Sequence, residues 1–259
     1  MAKPIKKIIL GGIIMGALFS LTGCLKRYSI EDMKKDAERK LEDTYGEEFV
    51  VTEIFNVQEG RAYQAYAHSV DNPSVVFACN YNIEDKDNSS EYASDCYIGE
   101  LVAYQYKQLA EQILDDCNYD YYVDVYMLYD KDMNSKFDKN VTIEEFSQAF
   151  EYRIDYWLFI SDDILSEDNQ FIYEILNKIY EIEKRDIIVL FVTNNDLRRV
   201  KEEFTGKPEM SGSFSSDFLD QYFYPINSHA KVRSLAYPMD MGEIITDFEV
   251  FEKHMEEVR

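Results

Sequence analysis

Oxygen-bearing side chains recur at alternate positions in Asp130-Lys131-Asp132-Met133-Asn134-Ser135-Lys136-Phe137-Asp138. Donors at positions 1, 3, 5 and 9 follow the ligand spacing of a calcium loop, with Lys136 at position 7 supplying its backbone carbonyl. A hard cation needs such an oxygen-only set. Phe137 suits the apolar eighth position. The pattern then departs. Ser135 stands where the loop turns on a glycine, and Val141 stands where a bidentate Glu closes the shell. The segment before it alternates like a strand, whereas the motif enters from a helix. Asp130, Asp132, Asn134, Lys136 and Asp138 are therefore a candidate site for calcium of the extracellular class, which binds at about 10⁻⁴–10⁻³ M. The competing reading is a solvated strand-to-helix connection in an acidic chain.

Other chemistry is sparse. Ser228-His229-Ala230-Lys231 fits a serine-nucleophile SxxK pattern, but the companion SDN and KTG elements are absent. Thr205-Gly206-Lys207 lacks the upstream glycine and following Ser or Thr of a phosphate loop. His68, His229 and His254 lie far apart, and each alone reads as a surface or structural residue. No CxxC or Cys/His spacing suggests zinc. No catalytic residue and no cofactor site other than calcium emerges, which makes a binding role the expectation over an enzymatic one.

The leader is more informative. Lys3, Lys6 and Lys7 precede an uncharged run from Ile8 to Leu21, which ends in small residues and Cys24. That order is a secretory signal. Leu21-Thr22-Gly23-Cys24 resembles the lipobox of bacterial lipoproteins. The resemblance implies that the Cys24 thiol receives a diacylglyceryl group and that cleavage leaves Cys24 as the new terminus. Each buried CH₂ contributes about 0.8 kcal/mol, so two acyl chains anchor stably. An uncleaved membrane helix over the same run is the alternative. Either way the flanking lysines stay inside and the body lies outside the cytoplasm. The leader, then a helix ending in Tyr45-Gly46-Glu47-Glu48-Phe49, then a Tyr-rich helix and strand, resembles small lipoproteins of low-GC Gram-positive bacteria. That resemblance implies location and brings no chemistry.

Composition agrees with a body held beside a membrane. The chain carries 27 basic and 50 acidic residues, a net of −23, and loss of the three leader lysines deepens it. Such a charge repels nucleic-acid phosphates and anionic headgroups, which excludes nucleic-acid partners. Hydrophobic residues make up 46%, with 21 Tyr and 16 Phe, enough for a sizeable core. Cys79, Cys96 and Cys117 remain once Cys24 is lipidated. An odd number outside the cytoplasm suggests at most one disulfide, with Cys79–Cys96 as the pair, and one free thiol; three free, partly buried thiols are an equal alternative.

The elements that must position these residues read as α+β. Ser29 with Asp32 forms a capping box for a helix over 30–45, which Gly46 stops. Strands follow over 49–57, 62–68 and 75–81, with a polar loop over 82–95. Apolar spacing predicts a helix over 97–116. A strand over 119–129 places Tyr119, Tyr121, Val123 and Val125 on one face and Tyr122 and Tyr126 on the other. Thr142 and Glu145 cap a short helix. A strand over 153–160, a helix around Ile172–Ile179, a strand over 186–193 and a helix over 196–204 alternate after it. A loop over 206–216, a short helix over 218–223, a strand over 230–237 and a terminal helix complete the reading. The chain divides into a signal peptide (1–23), a helix-meander-helix region (24–118) and a strand/helix region (119–259). The expected role is a lipid-anchored extracytoplasmic module that binds a protein or small solute. A transporter's solute-binding lipoprotein and a cell-wall hydrolase are the alternatives.

Overall fold

The computed structural model describes residues 29–58, 62–84, 89–128, 136–149, 152–205, 233–240 and 243–259. Helix α1 (Ile30–Tyr45) starts at a full capping box. Ser29 Oγ accepts from the Asp32 N–H at 3.1 Å, and Asp32 accepts from the Ser29 N–H at 3.3 Å. It ends at Gly46, whose φ of 68° is left-handed and disfavours a side chain there. Strands β1 (Phe49–Gln58), β2 (Ala62–Ser69), β3 (Val76–Glu84) and β4 (Ser89–Asp95) form an antiparallel meander in that order. Here the polar stretch expected as a loop is corrected. Residues 89–95 pair with β3, because the ladder's hydrogen bonds outweigh the weak strand propensity of Ser, Glu and Asp.

Helix α2 (Tyr97–Leu114) ends in a 3₁₀ turn (Asp115–Cys117) and leads to β5 (Tyr121–Leu128). Helix α3 (Ile143–Ala149) carries the expected Thr142/Glu145 box. Then come β6 (Arg153–Ser161), a 3₁₀ turn (Asp162–Ser166), α4 (Asn169–Glu183), β7 (Ile187–Val192) and α5 (Asn194–Phe204). Strand β8 (Arg233–Tyr237), the short pair β9 (Met239–Asp240) and β10 (Glu243–Ile244), and α6 (Phe248–Val258) close the chain. The second sheet runs β5-β6-β7-β8, with β6 and β7 parallel and both outer pairs antiparallel. The fold is α+β, a meander followed by alternating strands and helices.

Helix α2 packs on both β3 and β5, so one continuous core runs from Ala37 to Met255 across residue 118. Its faces follow the strand alternation. Val123 and Val125 are buried in this core, while Tyr122 turns to the opposite face and stacks on Phe204 of α5, ring centroids 6.0 Å apart. That opposite face has its own small core of Phe159, Leu190, Val192, Leu197 and Val200.

Cys79, Cys96 and Cys117 are all free and buried. The expected Cys79–Cys96 bond is not formed. The Cys96 sulfur accepts from the Ala78 N–H at 3.2 Å and donates to the Ala78 carbonyl at 3.3 Å. Alternation along β3 turns Cys79 to the face opposite Ala78.

Candidate functional site

Six polar side chains meet at one edge of the second sheet. Strands β6 and β7 are parallel, so their carboxyl ends share that edge, the place where open α/β sheets bind ligands. Ser161, the last residue of β6, is 2% exposed and its Oγ accepts from the Asp163 N–H at 3.3 Å. This starts the 3₁₀ turn and lifts Asp162, Asp163 and Ser166 over the strand end. The antiparallel neighbours bring their beginnings to the same edge. Ser161 N donates to the Asp120 carbonyl at 2.9 Å, which sets Tyr119 beside the turn. Arg233 opens β8 opposite Phe191, near the end of β7. Arg259 follows α6 and donates to the Glu167 carbonyl at 2.6 Å.

Tyr119, Asp162, Asp163, Ser166, Arg233 and Arg259 line a hollow of about 620 Å³, with Leu165 as its apolar floor. That volume falls in the range of small-ligand sites, roughly 300–1,000 Å³. The Tyr119 hydroxyl donates to Glu167 Oε1 at 2.5 Å, and this bond holds its ionisation above the ordinary tyrosine range. Asp163 Oδ2 accepts from Asn194 Nδ2 at 3.0 Å, tying the turn to the start of α5. Among the described residues no ion pair joins either arginine to either aspartate, and Arg233 and Asp162 have no side-chain partner.

Two further polar clusters lie inside the core. Glu47 is 9% exposed and accepts from Tyr97 Oη at 2.6 Å, Ser69 Oγ at 3.0 Å and Lys139 Nζ at 3.3 Å. Tyr106 donates to Glu183 Oε1 at 2.5 Å and shares a 2.6 Å bond with Tyr152. Beside them the Tyr156 hydroxyl, in a residue 1% exposed, has no hydrogen-bond partner among the described residues. An orphaned buried hydroxyl costs about 1–3 kcal/mol. Tyr156→Phe is therefore expected to leave stability unchanged or raise it by about 1 kcal/mol. A urea titration that found the variant weaker by more than that would show a bond to this hydroxyl.

Of the sequence candidates, Lys136 and Asp138 are exposed. Asp138 Oδ1 accepts from the Asn140 N–H at 2.8 Å, closing the turn that leads into α3. Asp130, Asp132, Asn134, Ser228, His229 and Lys231 lie outside the described residues, as does Cys24. No group of three His, Cys, Asp or Glu is placed to hold a metal among the described residues. His68 is half-buried with Nδ1 3.0 Å from the Ser69 carbonyl, and His254 is buried in α6. Cys117 is buried too, which pushes its thiol up. Among the described residues no helix is long and apolar enough to cross a membrane.

The hollow's residues were not candidates from sequence, except that Tyr119 stood on the strand expected over 119–129; it precedes β5 in the structure. The one local signal is Ser161-Asp162-Asp163 directly after a strand, a polar turn at a carboxyl end.

No protein-family model matches the chain, and no curated protein sequence matches it. Among solved structures, a crystal structure of a DUF5037 family protein from Ruminococcus gnavus ATCC 29149 is similar, with a TM-score of 0.61 at 17% identity. The match covers 86% of this chain and 99% of that one. At that identity the likeness is one of fold: this chain shares the architecture of that DUF5037 protein over nearly all of the latter's length.

Proposed function

We propose that this chain is a lipid-anchored extracytoplasmic binding module whose recognition surface is the hollow at the carboxyl ends of β6 and β7. One observation carries the reading. Arg233 and Asp162 line the same hollow, and neither has a partner among the described residues. In a chain with 27 basic against 50 acidic residues, a cation left without a partner beside acids is unusual. A site built to receive a ligand accounts for it. The lipobox at Leu21-Thr22-Gly23-Cys24 supports the location. The diacylglyceryl group on Cys24 holds the body at the outer face of the cell membrane, where small solutes reach the hollow.

Two measurements test this. Cys24→Ala is expected to abolish incorporation of labelled palmitate and to leave the precursor unprocessed; wild-type labelling in the variant overturns the anchor. The full chain in detergent micelles is melted against amino acids, sugars, wall fragments and calcium. A solute that binds only the folded state adds about 2.7 kcal/mol at 100 times its Kd. A shift with a solute that survives every substitution in the hollow overturns the assigned surface. A shift with calcium alone would move recognition to the Asp130–Asp138 segment.

A further inference from the structure

The charges around the hollow decide what it can hold. Resting on the binding role proposed above, we infer that the ligand is a small amphoteric solute of the class of free amino acids or short peptides. Its carboxylate is taken by Arg233 and Arg259, and its ammonium by Asp162 and Asp163.

The strand order sets the arrangement. Asp162 and Asp163 follow β6, and Arg233 opens β8, with β7 between them. Neighbouring strands lie about 4.8 Å apart, so Arg233 and the acidic bank are separated by roughly 10 Å at the backbone. Side chains narrow that gap without closing it, as no ion pair spans it among the described residues. The acidic bank is also fixed in place, since Asn194 holds Asp163 and the Ser161 cap holds the turn. Of the cationic bank, Arg259 lies beside the acidic turn and uses one guanidinium nitrogen on the Glu167 carbonyl that ends it, while Arg233 faces the turn from across β7. Among the described residues the remaining Arg259 donors and the Arg233 fork have no partner. A guanidinium pairs a carboxylate in two parallel bonds, which suits a ligand acid group.

Other ligand classes leave one bank unsatisfied. A simple anion such as phosphate would meet Asp162 and Asp163, and the strongly acidic chain repels it from afar. A simple cation would meet two arginines. A neutral sugar would pair neither half-buried Asp162 nor half-buried Arg233 with an opposite charge, and half-buried charges without a partner are costly. Only a solute carrying both charges a few ångströms apart answers both banks. Among the described residues Leu165 and the Tyr119 ring are the apolar parts of the lining, which suits a small or polar side chain.

The test uses the full chain in detergent micelles and isothermal titration with the L-amino acids and alanyl-alanine. For each binder, the N-acetyl and the carboxamide forms follow. Blocking either end is expected to weaken binding at least tenfold. Arg233→Gln and Asp162→Asn are each expected to do the same, while their unliganded melting points match the wild type because neither side chain has a partner among the described residues. Equal binding of the N-acetyl form would overturn the amphoteric class and leave the hollow as an anion site. Tight binding of the parent that Arg233→Gln does not weaken would overturn the hollow itself, and the reading it rests on. Absence of binding across the whole panel at millimolar concentration would also overturn the assignment of this ligand class.

Discussion

Above pH 10 the folded chain is expected to lose stability by about 5 kcal/mol for each pH unit and to unfold in one steep step. Four buried tyrosines carry this expectation. Tyr45, Tyr97, Tyr106 and Tyr156 are 8%, 2%, 0% and 1% exposed. Burial is the main cause that drives each hydroxyl's ionisation above the ordinary range of about 10. Neighbouring acids add to it: Asp95 accepts from Tyr45 at 2.7 Å, Glu47 from Tyr97, and Glu183 from Tyr106. The sign follows from linkage. Each folded pKa is raised, so the stabilisation is complete below about pH 10 and is lost as pH climbs toward the folded value. Over that window the unfolded chain releases protons that the folded chain keeps. Each tyrosine then contributes a slope of about 1.4 kcal/mol per unit. With a typical total stability of about 5–15 kcal/mol, collapse is expected within roughly one to three units of pH 10. Far-ultraviolet circular dichroism and tyrosinate absorbance, followed together, check it. Exposed tyrosines titrate first and gradually; the buried ones, these four among them, appear in a second, steep phase that coincides with loss of dichroism. Added salt separates this from surface repulsion, which it screens. A chain that kept its dichroism while every tyrosine ionised would refute the burial of these hydroxyls.

Much of the fold was legible because its signals are local. The Ser29/Asp32 box and Gly46 define both ends of α1 within a few residues, and the structure places them there. Apolar spacing gave α2 and α4, and the unbroken run Ile187–Val192 gave a strand buried along nearly its whole length. Strand β4 was illegible for a physical reason. Its polar residues have no intrinsic strand signal, and its conformation comes from the β3 ladder beside it. The cysteines failed in a similar way. Closeness in sequence says that Cys79 and Cys96 lie on adjoining elements, but the alternation of β3 decides which face each occupies.

The hollow was less legible still. Tyr119, Asp162, Arg233 and Arg259 are spread over 141 positions and sit at the ends of four different elements. The order β5-β6-β7-β8, with its single parallel pair, brings the strand ends to one edge, and the Glu167 carbonyl holds Arg259 there. Sequence spacing cannot express that order, because the parallel pairing depends on where α4 crosses over. The calcium segment is a different case: Asp138 accepts from the Asn140 N–H in a backbone turn, while Asp130, Asp132 and Asn134 lie outside the described residues.

Removal of a single carboxylate is expected to test how the meander is fastened to the rest of the molecule. Glu47 sits between α1 and β1, in the turn that Gly46 permits. Its two oxygens receive Tyr97 from α2, Ser69 from β2 and Lys139 from the segment before α3. One buried acid thus joins four parts of the chain, of which Lys139 belongs to the second half. Glu47→Ala leaves two hydroxyls and an ammonium facing an apolar hole. Breaking a buried pair from one side costs about 3–5 kcal/mol. Lys139 is 34% exposed and can return to water, which lowers the expected loss to about 2–4 kcal/mol. Glu47→Gln keeps the volume and one acceptor, and its expected loss is about 1–2 kcal/mol. Lys139→Met is expected to cost less than Glu47→Ala, because Tyr97 and Ser69 still satisfy the carboxylate. Urea unfolding of all three, with the Glu47→Ala/Lys139→Met double variant, measures the coupling directly. A coupling near zero would mean that the ammonium contributes nothing and that Tyr97 and Ser69 alone hold the acid. A loss below 1 kcal/mol for Glu47→Ala would mean that water fills its place, and that the continuous core through α2 is what joins the two sheets.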